Sequence, residues 1–196
     1  MPDSPPLVLA STSRYRRELL GRFGLPFESV APGVEETVRA GEPPGERALR
    51  LALEKAQAVS RLRPGALVIG SDQVCATADG TVLDKPGDAA RTVAQLQRLS
   101  GGSATFHTGC AVLGRAGGVH LVHLDTTRVA FRVLEAAEIA RYVAREQPYD
   151  CAGGFKAESL GIALFERLET SDPTALIGLP LIWLAGALRS AGLPLP

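Results

Sequence analysis

Ala66-Leu67-Val68-Ile69-Gly70-Ser71-Asp72 is the stretch whose reading decides the fold. Its apolar run reads as a buried strand that ends at Ser71-Asp72. On its N-terminal side, Ala48, Ala52, Val59 and Leu62 recur at helical spacing between Glu46 and Leu62. Earlier still, Leu7-Val8-Leu9-Ala10 is a short apolar run after two prolines, followed by Ser11-Thr12-Ser13, a helix from Tyr15 to about Phe23, and a strand over Phe27 to Val30. The loop from Ala31 to Pro44 is rich in Pro and Gly and carries Glu35 and Glu36. Beyond Asp72, Ala78-Asp79-Gly80-Thr81 marks a hairpin turn, and Asp88 caps a helix that runs to Leu99. Thr105 to Leu113 and Val119 to Val133 form an antiparallel pair around Arg115-Ala116-Gly117-Gly118. A helix over Glu135 to Arg145, a Gly153-Gly154 loop, a strand near Ala163 to Leu168, an Asp172-Pro173 turn and a helix from about Leu181 to Ala191 complete the pattern. Irregular alternation of helices and strands predicts an α/β fold with a mixed sheet. With no internal repeat, low-complexity tract or interdomain linker, a single domain over residues 1–196 is expected.

The 196 residues are 45% apolar and 21% charged, an ordinary globular composition. Lys plus Arg and Asp plus Glu each number 21, so there is no global basic field to hold nucleic acid, and a phosphate-rich ligand has to meet a local cluster. The N-terminal residues carry no basic leader, and no uninterrupted apolar stretch is long enough for a bilayer, so a cytoplasmic protein with no membrane partner is expected. Cys75, Cys110 and Cys151 are odd in number and widely spaced, which argues against a disulfide framework or structural zinc and for core thiols.

Four polar constellations stand out. Ser11-Thr12-Ser13-Arg14-Tyr15-Arg16-Arg17 places hydroxyls, backbone N–H groups and guanidinium groups at a strand-to-helix junction, where the helix dipole favours an anion. The same residues serve equally as a Ser N-cap before a solvated basic face. Without a GxxxxGK[ST] pattern this is not a P-loop. Asp72, at the strand's end, is placed to hold a divalent metal or deprotonate a water, or else to cap a turn. Lys55 falls on the apolar stripe of its helix and Lys85 precedes Pro86; both can neutralise phosphates, and Lys55 can also snorkel from the stripe's edge. Phe155-Lys156-Ala157-Glu158 follows a glycine pair that suits a loop closing over a ligand, or is solvated surface. His107, His120 and His123 form no convergent metal triad.

Taken in order, Ala10-Ser11-Thr12-Ser13 with Arg16-Arg17 and Leu19-Leu20, Glu35-Glu36-Thr37, Glu54-Lys55-Ala56, Gly70-Ser71-Asp72-Gln73, Lys85-Pro86, Thr108-Gly109 and Gly178-Leu179-Pro180 resemble the signature of the Maf family over essentially the whole chain. The resemblance implies an elongated mixed sheet with flanking helices, related to inosine triphosphatases, an active-site cleft between two lobes, and a homodimer. It implies a nucleoside triphosphate pyrophosphatase with Mg²⁺ or Mn²⁺, in which water attacks the α-phosphorus. Asp72 becomes the catalytic base and a metal-site residue with Glu36, while Ser11, Ser13, Arg16, Arg17, Lys55 and Lys85 become phosphate contacts. Asp72-Gln73, Cys151-Ala152-Gly153-Gly154-Phe155 and Phe165-Glu166-Arg167-Leu168 are similar to the 7-methyl-GTP branch, whereas the dTTP and UTP branch carries Asp-Thr and a later Gln. Methylation at N7 makes guanine cationic, which suits an aromatic ring such as Tyr15 and a carboxylate such as Glu158, so Tyr15, Gln73 and Glu158 are the specificity candidates. The competing functions are a dTTP or UTP pyrophosphatase and a non-enzymatic regulator of septum formation.

Overall fold

A computed structural model describes residues 5–114 and 118–196. Among the described residues, seven strands and five α-helices follow one another as β1 (Leu7–Leu9), α1 (Arg14–Gly21), β2 (Phe27–Ser29), α2 (Pro44–Leu62), β3 (Leu67–Thr77), β4 (Val82–Leu83), α3 (Ala89–Leu99), β5 (Ser103–Gly114), β6 (Val119–Phe131), α4 (Ala136–Glu146), β7 (Phe165–Glu169) and α5 (Leu181–Ser190). The strand order is β2-β1-β3-β5-β6-β7, with β4 paired to β3. β1 runs parallel to β2 and β3, while β3–β4 and β6–β7 are antiparallel, so the sheet is mixed as the sequence predicts. Among the described residues no helix is long and apolar enough to cross a membrane. Of the turn expected at Arg115-Ala116-Gly117-Gly118, all but Gly118 lies outside the described residues.

The chain gathers into two compact units: residues up to Gln73 with Thr108–Asp125 and Asp172–Pro196, and Val74–His107 with Thr126–Ser171. In the first, the period-2 alternation of strands sorts the core onto two faces. Leu7, Leu9, Leu67, Ile69, Cys110 and Val112 meet Leu19 and Leu20 of α1 and Leu184 and Leu188 of α5. Val8, Ala10, Val68 and Ala111 meet Ala56 and Val59 of α2 on the other face. In the second unit, Phe131, Phe155 and Phe165 pack edge to face with centroids 5.0–5.5 Å apart, and Phe106 joins at 5.3 Å from Phe155. Asp88 caps α3 by accepting from the Arg91 N–H at 2.8 Å, as expected. Burial pushes the Cys110 thiol up to about 12 and that of Cys75 higher still, so both are inert core groups.

The face toward α2 is built from absent side chains. A Cβ on Gly70 would lie 2.2 Å from the Ala52 carbonyl oxygen, and one on Gly109 would lie 2.4 Å from that of Ala48. Two glycines on the sheet and alanines 48, 52 and 56 on the helix therefore let α2 lie directly on the strands. Gly70→Ala must push helix backbone away, and we expect it to cost about 1–3 kcal/mol of unfolding free energy in a urea titration. A change within experimental error would mean that α2 yields at no cost.

Three expectations are corrected. The strand carrying Asp72 does not stop there: β3 runs unbroken to Thr77, so Asp72 sits mid-strand. Ser71, Asp72 and Gln73 interrupt the apolar run without interrupting the backbone ladder, because sheet pairing uses N–H and C=O groups that every residue carries. The Gly153-Gly154 segment is not a loose closing loop. It is a buried 3-10 turn, Ala152–Gly154, in which both glycines have positive φ and added Cβ atoms would press on Phe106, Phe155 and Thr92. Finally, the strand expected from Ala163 begins at Phe165, because Leu160–Leu164 form a 3-10 turn.

Candidate active site

The close seating of α2 decides the geometry around Asp72. On β3, Gly70 and Asp72 point to the helix side, and Lys55 lies one turn from the Ala52 contact. Lys55 Nζ donates to Asp72 Oδ1 at 2.6 Å and to Glu36 Oε1 at 2.5 Å, so one ammonium ties together two carboxylates from a loop and a strand. The Lys55 and Asp72 side chains are 7% and 9% exposed, whereas Glu36 is 55% exposed. A lysine so placed is no snorkeller: its head group is buried and satisfied by charge. Asp72 Oδ2 has no hydrogen-bond partner among the described residues.

The opposite face of β3 holds a different network. Gln73 Nε2 donates to the Ala175 and Leu176 carbonyls at 2.9 and 3.0 Å and lies 2.9 Å from Thr108 Oγ1. Thr108 Oγ1 donates to Ala175 O at 2.9 Å. The Ser71 hydroxyl lies 2.8 Å from Gly178 O and 2.9 Å from Gly109 O, and Arg16 Nε donates to Gly178 O at 3.0 Å. The 175–178 turn is thus bolted to β3 on one side and to α1 on the other. Gln73 spends its amide N–H groups on this turn, which leaves its Oε1 for any ligand.

At the strand-to-helix junction, Ser13 caps α1 by accepting from the Arg16 N–H at 3.4 Å, and Ser11 Oγ accepts from the Ser13 N–H at 3.1 Å. Both hydroxyls keep a proton to donate. Arg17 is exposed on the first turns of α1. Tyr15 has the Arg14 guanidinium over its ring at 4.6 Å, so one face already carries a cation. In the second unit, Lys85 is exposed beside the buried Pro86, and Glu158 is exposed after the buried Phe155. Lys156 is turned away from any ligand role: its Nζ donates to the Glu146 carbonyl at 2.7 Å.

The structure therefore joins Glu36, Lys55 and Asp72 directly, turns Arg16 and Gln73 to the 175–178 turn, and uses Ser11 and Ser13 to shape the α1 entry. Ser71 and Thr108, quoted from the sequence only within the family signature, and Arg50, not singled out there, also carry polar contacts. The Arg50–Glu54 pair at i,i+4 was the visible signal for the last of these.

The donor set also bears on a metal. Asp72 and Glu36 offer carboxylate oxygens only, the ligand type of hard divalent cations, and they already converge on one positive charge. Among the described residues no three His, Cys, Asp or Glu side chains gather to hold an ion. Two carboxylates fit the kind of Mg²⁺ site that phosphates and waters complete.

The sequence model of the family described as Maf-like protein matches residues 6–191. The chain belongs to the Maf family. Maf relatives include the 7-methyl-GTP pyrophosphatase of Cupriavidus metallidurans, 52% identical over 191 residues that cover 97% of this chain and 95% of the relative. A protein of the same name from Aromatoleum aromaticum is 54% identical over 97% of each chain. Among solved structures, a HAM1 protein from Coxiella burnetii superposes with a TM-score of 0.53 at 17% identity, covering 95% of this chain and 100% of the other, and so shares the fold of this Maf chain.

Proposed function

We propose that this chain is a nucleotide pyrophosphatase that hydrolyses 7-methyl-GTP to 7-methyl-GMP and pyrophosphate. The observation that carries the reading is full-length similarity, at more than half identity, to Maf proteins of that name. The Glu36–Lys55–Asp72 cluster, with Lys55 and Asp72 buried and Glu36 at the surface, supplies the chemistry. Asp72 takes the proton of the attacking water, which forms a new bond to the α-phosphorus as the bond to the bridging oxygen of pyrophosphate breaks. Lys55, Arg16, Arg17 and Lys85 are assigned to the phosphates, with Ser11 and Ser13 donating from the α1 entry. Asp72 and Glu36 would hold Mg²⁺ or Mn²⁺, which when bound neutralises charge that builds on the phosphate oxygens.

The base is assigned to Tyr15, Gln73 and Glu158, with Gln73 next to Asp72 in sequence but on the other face of β3. A cationic 7-methylguanine favours the exposed Glu158 carboxylate, which also accepts from the N1 and N2 donors that uracil and thymine lack. A homodimer and a cytoplasmic location belong to the same reading, by resemblance to the family. The test is pyrophosphate release from 7-methyl-GTP, GTP, dTTP and UTP with Mg²⁺ or Mn²⁺. Selective turnover of 7-methyl-GTP is expected. Preference for dTTP or UTP would overturn the specificity, and no metal-dependent turnover of any triphosphate would return the chain to a binding or regulatory role.

A further inference from the structure

Glu36 is an exposed side chain on the loop between β2 and α2. Between β2 and α2 there is no helix or strand, and among the described residues the backbone of residues 31–42 makes one backbone hydrogen bond, from Glu42 N to Arg39 O. Besides Lys55, which meets Glu36 itself, a second side chain of α2 grips the loop. Arg50 grips Glu42 with two donors, Nε to Oε1 at 2.5 Å and Nη2 to Oε2 at 2.6 Å. Its Nη2 also donates to the carbonyl of Thr37, the residue after Glu36, at 3.1 Å. Its Nη1 donates to Glu54 Oε2 at 3.1 Å, and Glu54 in turn accepts from Arg39 at 3.2 Å. Arg50 and Glu42 are 13% and 10% exposed, far drier than Glu36 itself.

We propose that Arg50 is a positioning residue, which clamps the 31–42 loop so that Glu36 meets Lys55 beside Asp72. Arg50, Glu54 and Lys55 stand on one stretch of α2: the first two hold the loop at Thr37, Arg39 and Glu42, all just after Glu36, and the third receives the Glu36 carboxylate. The helix thus carries both the catalytic-cluster lysine and the device that delivers its acidic partner. All three guanidinium nitrogens are engaged in three directions, which a lysine's point charge cannot reproduce. The inference rests on the pyrophosphatase reading for its kinetic arm only.

The experiment compares Arg50→Lys, Arg50→Met and Glu42→Gln with wild type, each also in a Glu36→Gln background. Amide hydrogen exchange over residues 34–42 reports the clamp directly, and it is expected to speed up in all three single variants while exchange in β3 and α5 stays as in wild type. The kcat for 7-methyl-GTP is expected to fall about tenfold or more, since small misplacement of a reacting group is costly, with a smaller change in KM. In the Glu36→Gln background the same substitutions should cost no further kcat, because the group they position is gone. Unchanged exchange at 34–42, or kcat losses that multiply in the double variants, would overturn the proposal. Arg50→Lys and Glu42→Gln keep the test valid should Arg50→Met not fold. Wild-type inactivity on every nucleotide would sink the pyrophosphatase reading, while the exchange measurement would still decide the clamp.

Discussion

Asp72→Asn is expected to lower kcat for 7-methyl-GTP by about 10²–10⁴-fold with little change in KM, the range spanned by positioned acid–base groups. The substitution keeps size and a hydrogen bond-accepting oxygen for Lys55 but removes the basic oxygen. Asp72 Oδ1 is held by Lys55 at 2.6 Å while Oδ2 is unengaged among the described residues, so in the proposed reaction one oxygen anchors and the other takes the proton. Steady-state kinetics in Mg²⁺ read the loss, and the urea midpoint serves as the control for folding. A variant that keeps wild-type kcat would remove Asp72 from the reaction and leave it a structural partner of Lys55.

Lys55→Met is expected to lower stability by about 3–5 kcal/mol, because it leaves the Asp72 carboxylate buried without its counter-charge. Methionine fits the apolar stripe of α2 beside Ala52, Ala56 and Val59, so packing accounts for little of the loss. Adding Asp72→Asn should restore most of it, since the second change removes the stranded charge. Urea titrations of wild type, both single variants and the double variant measure the coupling. If the two losses simply add, the pair does not interact energetically, and the close approach of α2 is set by the glycine contacts alone.

How much of this was visible in the chain differs from element to element. Leu67–Ile69 and the α2 stripe were legible because burial writes itself into apolar periodicity. Lys55 stood out for the same reason: a cation among alanines on a buried face demands a partner. The partner's identity was not legible, because Glu36 sits 19 residues away on a loop without periodicity, and the family resemblance marked it only as a metal-site carboxylate. The end of β3 was misread because polar side chains at 71–73 look like a strand terminus when the elements that satisfy them, α2 and the 175–178 turn, are distant in sequence. Gly153-Gly154 was misread for a related reason. Glycine signals positive φ or tight contact as readily as mobility, and here the aromatic cluster supplies the contact.

The two units are interleaved along the chain, and this has a consequence for how the protein is made on the ribosome. β3, β5 and β6 each contribute to both, and the first unit receives α5 and the 175–178 turn only from residues after Asp172. A growing chain that has already released β1, α1, α2 and most of β3 still lacks Leu184 and Leu188, which share with Leu19 and Leu20 of α1 the covering of one side of those strands. Sequential, domain-by-domain folding is therefore closed to this architecture: the nascent N-terminal half must wait with an open apolar face until synthesis is nearly done. Stalling or truncation ahead of α5 is expected to yield a chaperone substrate, not a smaller folded protein.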